Sequence, residues 1–259
     1  GSRKDVSYTE FAIPQIAAGI ARAHDSLESA TAGWAVADAP GHTHSRRWIH
    51  RPGAFEKDPF GEPTVRAMMH PGYRNPAYLA PSGPVDSKLT VLSLRSHDDR
   101  PIAVLANFSM HYFGETDGFS ADYFGDFARY LEDQLGHNHE AARPFVGIMA
   151  QGTSGDLHWM DYSKPKREDY HRSQYAQELG DIALRALQEI HYRADIDLAM
   201  AETRLQLKRR VPSNTRLEWA RATNTQRNGA RPRNLPEVYA EQTEWLHDHP
   251  SAELVLQAI

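Results

Sequence analysis

The stretch from residue 88 to residue 152 constrains the fold of this chain most. Two apolar segments rich in β-branched residues, 88–96 and 101–111, flank the short polar turn HDDRP, which is typical of a β-hairpin. An amphipathic helix is predicted at 121–135. The continuous apolar run PFVGIMAQG at 144–152 indicates a strand buried on both faces. This order predicts an α/β fold, a single domain with a mixed β-sheet flanked by helices.

The flanking sequence extends this pattern in both directions without an internal repeat or a clear domain boundary. Residues 40–85 are rich in Pro, Gly, His and Arg and are predicted to form a long irregular, functional stretch. The polar segment RNGARPRNL, 227–235, is predicted to be a mobile loop. Helical or alternating apolar periodicity predicts the remaining elements, which are a helix at 8–28, a strand at 30–38, a helix at 167–190, a strand at 197–210, and helices at 213–225 and 235–248.

Composition excludes several classes of protein. The 259 residues are 40% hydrophobic and 24% charged, which is ordinary for a globular protein. A formal net charge of −5 argues against nucleic acid as a partner. The absence of cysteine excludes thiolate nucleophiles, disulfides and cysteine-ligated zinc. No apolar run approaches the roughly 20 residues of a membrane span. Histidine is abundant, with 14 residues, of which His137 and His139 have the surroundings of a surface loop.

The first candidate functional segment is 107–125. His111 comes where an apolar strand ends, a natural position for a metal ligand or a general base. Asp122 follows at the start of a helix and would support the site by hydrogen bonding. A satisfied core histidine and a helix-capping aspartate are the alternatives.

The second candidate segment is 149–162, in which a buried strand ends in the sequence Gln-Gly-Thr-Ser-Gly-Asp. Gly152 and Gly155 permit a sharp turn and close approach of the backbone to a ligand, and successive backbone N–H groups can hold an oxyanion. The spacing matches neither the GxSxG nucleophile elbow nor a P-loop. The pocket-lining residues predicted here are Gln151, Gly152, Thr153, Ser154, Gly155 and Asp156, and an ordinary tight turn is the alternative.

The third candidate segment is 41–53, GHTHSRRWIHRPG. His42 and His44 would point to the same side of an extended segment, as in some zinc sites. Arg46 and Arg47 offer guanidinium groups for a carboxylate or a phosphate. An HxH pair is a weak signal, because most such matches bind no metal.

In this order the three segments resemble the N-terminal catalytic domain of the neutral/alkaline non-lysosomal ceramidases, over roughly residues 8–165. The bacterial ceramidase-like members of that family are the more similar ones. No single motif is specific, and the resemblance rests on the ordered set, which consists of Ser45-Arg46-Arg47, Pro84-Val85-Asp86, His111, Ser120-Ala121-Asp122, and Gln151 through Gly155-Asp156.

The resemblance implies a zinc-dependent amidohydrolase acting on an N-acyl lipid, with ceramide as one candidate. In the family a zinc-bound water attacks an amide carbonyl, and the ligand at the end of the strand matches His111. Arg46 matches an arginine near the site and would orient the substrate. Members of the family are commonly exported, so the resemblance implies a secreted or periplasmic protein, with contact to a membrane surface left open.

Two departures from the family pattern affect the predicted chemistry. The family's other histidine ligand lies in a motif before the first helix, whereas GHTHS follows that helix and lacks Gly-Pro-Gly. The family's remaining zinc ligands, a Glu and a Tyr, lie further downstream. We therefore expect 1–259 to be a partial domain, truncated at both ends, whose single zinc site is incomplete and whose isolated activity is low or absent. Established ceramidases also carry a serine where this chain has Gly152.

Two other functions stay open at this point. A complete small metal hydrolase using His42, His44 and His111 would bind zinc tightly as the isolated chain. A non-catalytic binding domain that kept the fold would bind no metal even in a longer chain, and Gly152 favours this alternative.

Overall fold

A computed structural model describes residues 5–114, 116, 118–136 and 144–258, so His137 and His139 lie outside the described part. The helices are α1 (Val6–Asp25), α2 (Asp122–Leu135), α3 (Arg172–Leu187), α4 (Asn214–Arg227) and α5 (Leu235–Asp248). The strands are β1 (Ala30–Asp38), β2 (His44–Ser45), β3 (Arg47–His50), β4 (Ala67–Met69), β5 (Tyr78–Pro81), β6 (Lys88–Ser96), β7 (Pro101–Phe108), β8 (Val146–Gln151), β9 (Leu157–His158), β10 (Ala201–Lys208) and β11 (Ser251–Ala258). The predicted α/β fold is confirmed.

The chain forms two compact units, the first of which contains the described residues of 1–47, 69–74 and 81–196. Its central sheet has the strand order β1-β6-β7-β8. The β1–β6 and β6–β7 pairs are antiparallel, and β7 and β8 are parallel. The sheet is therefore mixed, as predicted. Because α2 connects the two parallel strands, β7 and β8 end at the same edge of the sheet.

One face of this sheet carries the core of the first unit. There α2 packs against β8, and α3 packs against β1 and β6. Gly147 permits the close approach of α2, because a Cβ at this position would lie 2.8 Å from the Ala128 carbonyl oxygen. The largest fully buried side chains belong to the sheet, to the two helices and to the loop after β7, and they are Tyr123, Tyr175, Phe108, Phe127, Leu89, Met110, Leu131, Leu179, Val91 and Val104.

The opposite face of the sheet is apolar and exposed. Trp34, Leu92, Leu105 and Ile148 lie side by side across the four strands, and each is 38% to 59% exposed. The prediction of a strand buried on both faces at 144–152 was therefore wrong, since β8 is covered on one face. The first helix also buries none of its residues, although its apolar residues recur at helical spacing.

The second unit contains residues 48–68, 75–80 and 197–259 as far as they are described. It combines a three-stranded sheet in the order β4-β3-β5, the antiparallel pair β10–β11, and the helices α4 and α5. The Phe60 ring packs edge-on against Trp219 of α4 and Tyr239 of α5, with the Arg216 guanidinium over its face. Three separate stretches of sequence build this unit, which is why no single linker marks it.

Several predicted boundaries moved. Residues 40–85, predicted to be irregular, contain the short strands β2 to β5, and the strand predicted at 101–111 ends at Phe108. In the segment 227–235, Arg227 still belongs to α4, Asn228 ends that helix with a φ of 48°, and Leu235 begins α5. Its predicted mobility stays a prediction. Within the described residues, no helix has the length and apolar character needed to span a membrane.

Two leucines on β6 test which face of the sheet carries the core. Leu89 is fully buried, whereas Leu92 is 38% exposed on the opposite face. We expect Leu89→Ala to lower the free energy of unfolding by about 2–5 kcal/mol, and Leu92→Ala to lower it by less than about 1 kcal/mol. Urea unfolding of both variants measures the difference. Equal losses would contradict the assignment of the core to one face.

Candidate functional site

The candidate site begins where the parallel strands β7 and β8 end together. Phe108 and Gln151 form the last pair of the two strands, and the Gly152 N–H donates to the Phe108 carbonyl at 2.9 Å. The segment that carries His111 and the turn 151–156 therefore leave the sheet side by side. This edge is where α/β sheets commonly bind ligands.

Gly152 lies against β7 so closely that a side chain has no room. A Cβ built on Gly152 would lie 2.6 Å from the Ser109 hydroxyl and 3.1 Å from the Asn107 side-chain oxygen. The Ser109 hydroxyl donates to Asp86 at 3.1 Å and lies 3.3 Å from the Thr153 hydroxyl. The side chains of Ser109 and Asn107 therefore leave room for glycine and not for a larger residue at position 152.

Asp122 fixes the loop that follows His111. Its carboxylate accepts the N–H of Phe113 at 2.7 Å, that of Gly114 at 2.9 Å and that of Tyr123 at 2.7 Å. The residue adopts a φ of 51°, a conformation that aspartate tolerates better than most residues. The N-cap of α2 is Ala121, which makes no side-chain capping bond, so Asp122 binds both the loop and the first turn of the helix.

Arg46 holds the turn 151–156 from the other side. Its Nε and Nη2 donate to the Gly155 carbonyl at 3.2 and 2.7 Å, and its backbone N–H donates to the Asp156 carbonyl at 2.8 Å. The antiparallel pairing of β2 with β9, in which His44 faces His158, fixes this approach. The structure therefore shows Arg46 in contact with the backbone of the turn. Its predicted role in orienting a substrate stays a prediction.

Three histidines and a tyrosine form a cluster near Arg46. The rings of His70 and His158 lie 5.7 Å apart, edge to face, and His70 Nδ1 lies 2.6 Å from the Tyr162 hydroxyl. His70 has a φ of 57°, an uncommon conformation often found at functional sites. The Nδ1 atom of His111 is buried and has no hydrogen-bond partner among the described residues.

The electrostatics of this cluster keep its histidines neutral. Burial, followed by the neighbouring His70, Arg46 and His111, lowers the pKa of His158 to about 4. Burial, then Arg46, lowers the pKa of both His70 and His111 from their ordinary value. Burial raises the pKa of Tyr162 to about 12, so its hydroxyl stays protonated. Neutral imidazoles can bind a metal ion or accept a proton, which imidazolium ions cannot.

The tautomer of His158 follows from one hydrogen bond. The backbone N–H of Met160 donates to His158 Nδ1 at 3.3 Å, so Nδ1 is an acceptor. In the neutral ring the proton therefore lies on Nε2. The residue is buried, with an exposed fraction of 6%. His158 thus presents a fixed neutral N–H donor within this cluster.

The structure brings most of the predicted site residues to one edge of the sheet. His111, Asp122 and the turn lie beyond β7 and β8, and Arg46 contacts the turn. Gln151 Nε2 reaches the Met110 carbonyl at 3.5 Å. Within the turn, Ser154 is buried, whereas Thr153, Gly155 and Asp156 are exposed.

His42 and His44 have other partners. The ring nitrogens of His42 lie 3.2 Å from the Pro40 carbonyl and 3.2 Å from the Glu178 carboxylate. His44 Nε2 lies 3.1 Å from the Gly41 carbonyl. Within the described residues, no three or more histidine, aspartate and glutamate side chains are placed to hold a metal ion together. The described structure therefore does not assemble His42, His44 and His111 into one metal site.

Sequence reasoning missed His70, His158 and Tyr162. His158 and Tyr162 lie in the second candidate segment, 149–162. Their position as polar ring residues after the turn could have identified them as site residues. His70 lies in the irregular stretch 40–85, and no spacing relates it to His111. Only the histidine content of that stretch pointed to it.

The sequence matches no protein-family model and no curated protein. Four chains of solved structures match it, and they include two ceramidases. A ceramidase complexed with C2 matches 73% of this chain, with a TM-score of 0.47 and 13% sequence identity. A neutral ceramidase from Pseudomonas aeruginosa matches 73%, with a TM-score of 0.42 and 14% identity. The match covers 26% and 27% of those chains, so this chain spans about a quarter of their length. Both structures carry the name of the family whose motifs the sequence resembles.

The neutral histidines predict a loss of stability in mild acid. Because the pKa of His158 falls from 6.5 to about 4 on folding, the folded chain binds fewer protons than the unfolded chain between these values. Its contribution is complete above pH 6.5 and is lost as the pH falls, by about 2 kcal/mol between pH 7 and pH 5. In urea unfolding, His158→Gln should flatten this dependence, while the exposed His24→Gln should not. An unchanged slope in His158→Gln would refute the assignment.

The close approach at Gly152 predicts an interaction with Ser109. Gly152→Ser should lower the free energy of unfolding by about 1–3 kcal/mol, because its Cβ meets the Ser109 hydroxyl. Ser109→Ala removes that hydroxyl, so the double variant should lose less than the sum of the two single variants. Gly155→Ser is the control, since a Cβ there meets nothing within 4 Å. Strict additivity would show that the hydroxyl is not the obstacle.

Proposed function

We propose that this chain supplies part of the active site of a zinc-dependent amidohydrolase that cleaves an N-acyl amide. The observation that carries the proposal is the histidine cluster at the ends of β7 and β8. His70, His111 and His158 all have lowered pKa values there, chiefly because they are buried. They lie close to Arg46, and the adjoining turn 151–156 exposes Gly155 and Asp156 to solvent.

His111 fits the role of a zinc ligand. Its Nδ1 is buried without a partner in the described structure, and burial favours the neutral ring that a metal requires. When bound, zinc lowers the pKa of a water ligand to about 7 and polarises a carbonyl group. Because no three histidine, aspartate and glutamate side chains of the described residues are placed to hold a metal ion together, the ligand set is proposed to be incomplete and the binding weak.

The other residues of the cluster would act on the substrate. His158 would donate its Nε2–H to the oxygen of an amide carbonyl as negative charge develops there, since the Met160 N–H fixes its tautomer. Arg46 would hold the turn in place and contribute positive charge beside it. Asp122 would keep the loop after His111 in one conformation through its three backbone hydrogen bonds.

The substrate proposed is an N-acyl lipid, with ceramide as the first to examine. This follows from the ordered motifs and from the names of the two similar structures, which are ceramidases. The chain spans about a quarter of their length, so the substrate belongs to the proposal. The alternative of a non-catalytic domain is favoured by Gly152, and it differs from our proposal in predicting no binding of zinc.

A zinc titration of the full chain tests the proposal. We expect weak binding of Zn²⁺ at neutral pH, with a Kd of about 1 μM or higher. His111→Asn should weaken it at least about tenfold, whereas His24→Asn, which changes an exposed histidine of α1, should not. Isothermal titration calorimetry with Zn²⁺ alone provides the measurement. Equal affinity and equal stoichiometry of zinc in wild type and His111→Asn would overturn the role of His111.

A further inference from the structure

His50, the last residue of β3 in the second unit, is an unusual buried histidine. It is 2% exposed, and neither ring nitrogen has a hydrogen-bond partner among the described residues. A neutral imidazole has one donor and one acceptor, and both are costly to bury unpaired. In folded proteins, a buried polar group without a protein partner commonly contacts an ion or a water molecule.

Two oxygen donors lie beside the His50 ring. The Glu56 carboxylate is 3.9 Å from His50 Nε2, too far for a hydrogen bond. The Tyr78 ring lies with its centroid 4.3 Å from that of His50, at an interplanar angle of 34°. Burial, followed by the charge of Glu56 and a side-chain hydrogen bond to it, raises the pKa of Tyr78. The Glu56 carboxylate thus lies beside both the Tyr78 hydroxyl and His50 Nε2.

The backbone fixes the positions of these three residues. The His50 N–H donates to the Arg66 carbonyl at 2.9 Å, and the Arg51 N–H donates to the Ala77 carbonyl at 2.8 Å. Glu56 is paired with Val65 through an isolated β-bridge. The donors therefore come from a sheet and from a paired segment beside it. The Glu56 side chain is 51% exposed, which leaves a path for an ion from solvent.

We propose that His50, Glu56 and Tyr78 form a binding site for a divalent transition-metal ion of the zinc class. Imidazole nitrogen with carboxylate and phenol oxygen suits zinc and its neighbours, not calcium or magnesium. Metal bonds of about 2.0–2.2 Å place two tetrahedral ligands about 3.4 Å apart. The observed separation of 3.9 Å between His50 Nε2 and the Glu56 oxygen is about 0.5 Å longer than that, and the Glu56 side chain is half-exposed. An ion there would satisfy the buried nitrogen.

This site is distinct in composition from the His111 cluster. It lies in the second unit and has two ligands of the histidine and carboxylate types, with a tyrosine as the third donor. A solvent position would complete the coordination. Its chemistry does not require that the chain be an amidohydrolase.

The test uses the full chain with His111 replaced by asparagine, so that the other proposed site does not contribute. In this background we expect Zn²⁺ and Co²⁺ to bind at one site in calorimetric titrations. Glu56→Gln should weaken binding at least about tenfold. Binding would release the Tyr78 proton to solvent, and Tyr78→Phe should remove the ultraviolet difference band of the metal-bound tyrosinate. Glu62→Gln is the matched control, since it removes an exposed carboxylate of the same stretch and should leave the affinity unchanged.

Three outcomes would overturn the proposal. They are no binding in the His111→Asn background, unchanged affinity in Glu56→Gln, and equal weakening by Glu62→Gln. Because His50 is buried, His50→Gln is accepted as evidence only if its near-ultraviolet circular dichroism matches that of the parent. Glu56→Gln changes a half-exposed side chain, so it tests the site without removing buried volume. Failure of the His111 proposal would leave these results unchanged.

Discussion

The site depends on the parallel pairing of β7 with β8. Two parallel strands end at one edge, so the residues after Phe108 and after Gln151 start from neighbouring positions. The bond from the Gly152 N–H to the Phe108 carbonyl continues this pairing past the last strand residue. An antiparallel arrangement would place the two segments at opposite edges. His111 and the turn can share a site only because α2 returns the chain to start β8 in the same direction as β7.

Burial and one guanidinium group decide the chemistry of the cluster. Burial is the largest cause of the lowered pKa at His70, His111 and His158, and Arg46 is a further cause for each. A positive charge in this position disfavours a second one on the rings nearby. The same guanidinium donates to the Gly155 carbonyl, so the group that keeps the rings neutral also fixes the turn. Local backbone structure and ring protonation are therefore coupled through Arg46.

The sequence predicted the part of the site that lies directly after apolar strands. Strand periodicity located the ends of β7 and β8, and hence His111 and the turn. It could not locate His70, which reaches the cluster through a left-handed backbone conformation at the end of a three-residue strand. The HxH pattern of His42 and His44 carried no information on partners, and Glu178, far away in sequence, contacts His42. The second unit escaped prediction because three distant stretches assemble it.

Three residues that the sequence predicted for the site determine the shape of its loops in the structure. The Asp122 carboxylate accepts three N–H groups, Arg46 donates to a carbonyl, and Gly152 is required by the space that Ser109 occupies. Replacing any of them changes the shape of the loops, so a loss of activity in such variants would not separate chemistry from folding. The histidine rings differ, because their protonation and metal binding can be measured directly. Experiments on the histidine rings can therefore assign a function to this edge of the sheet. The residues around the rings determine their positions.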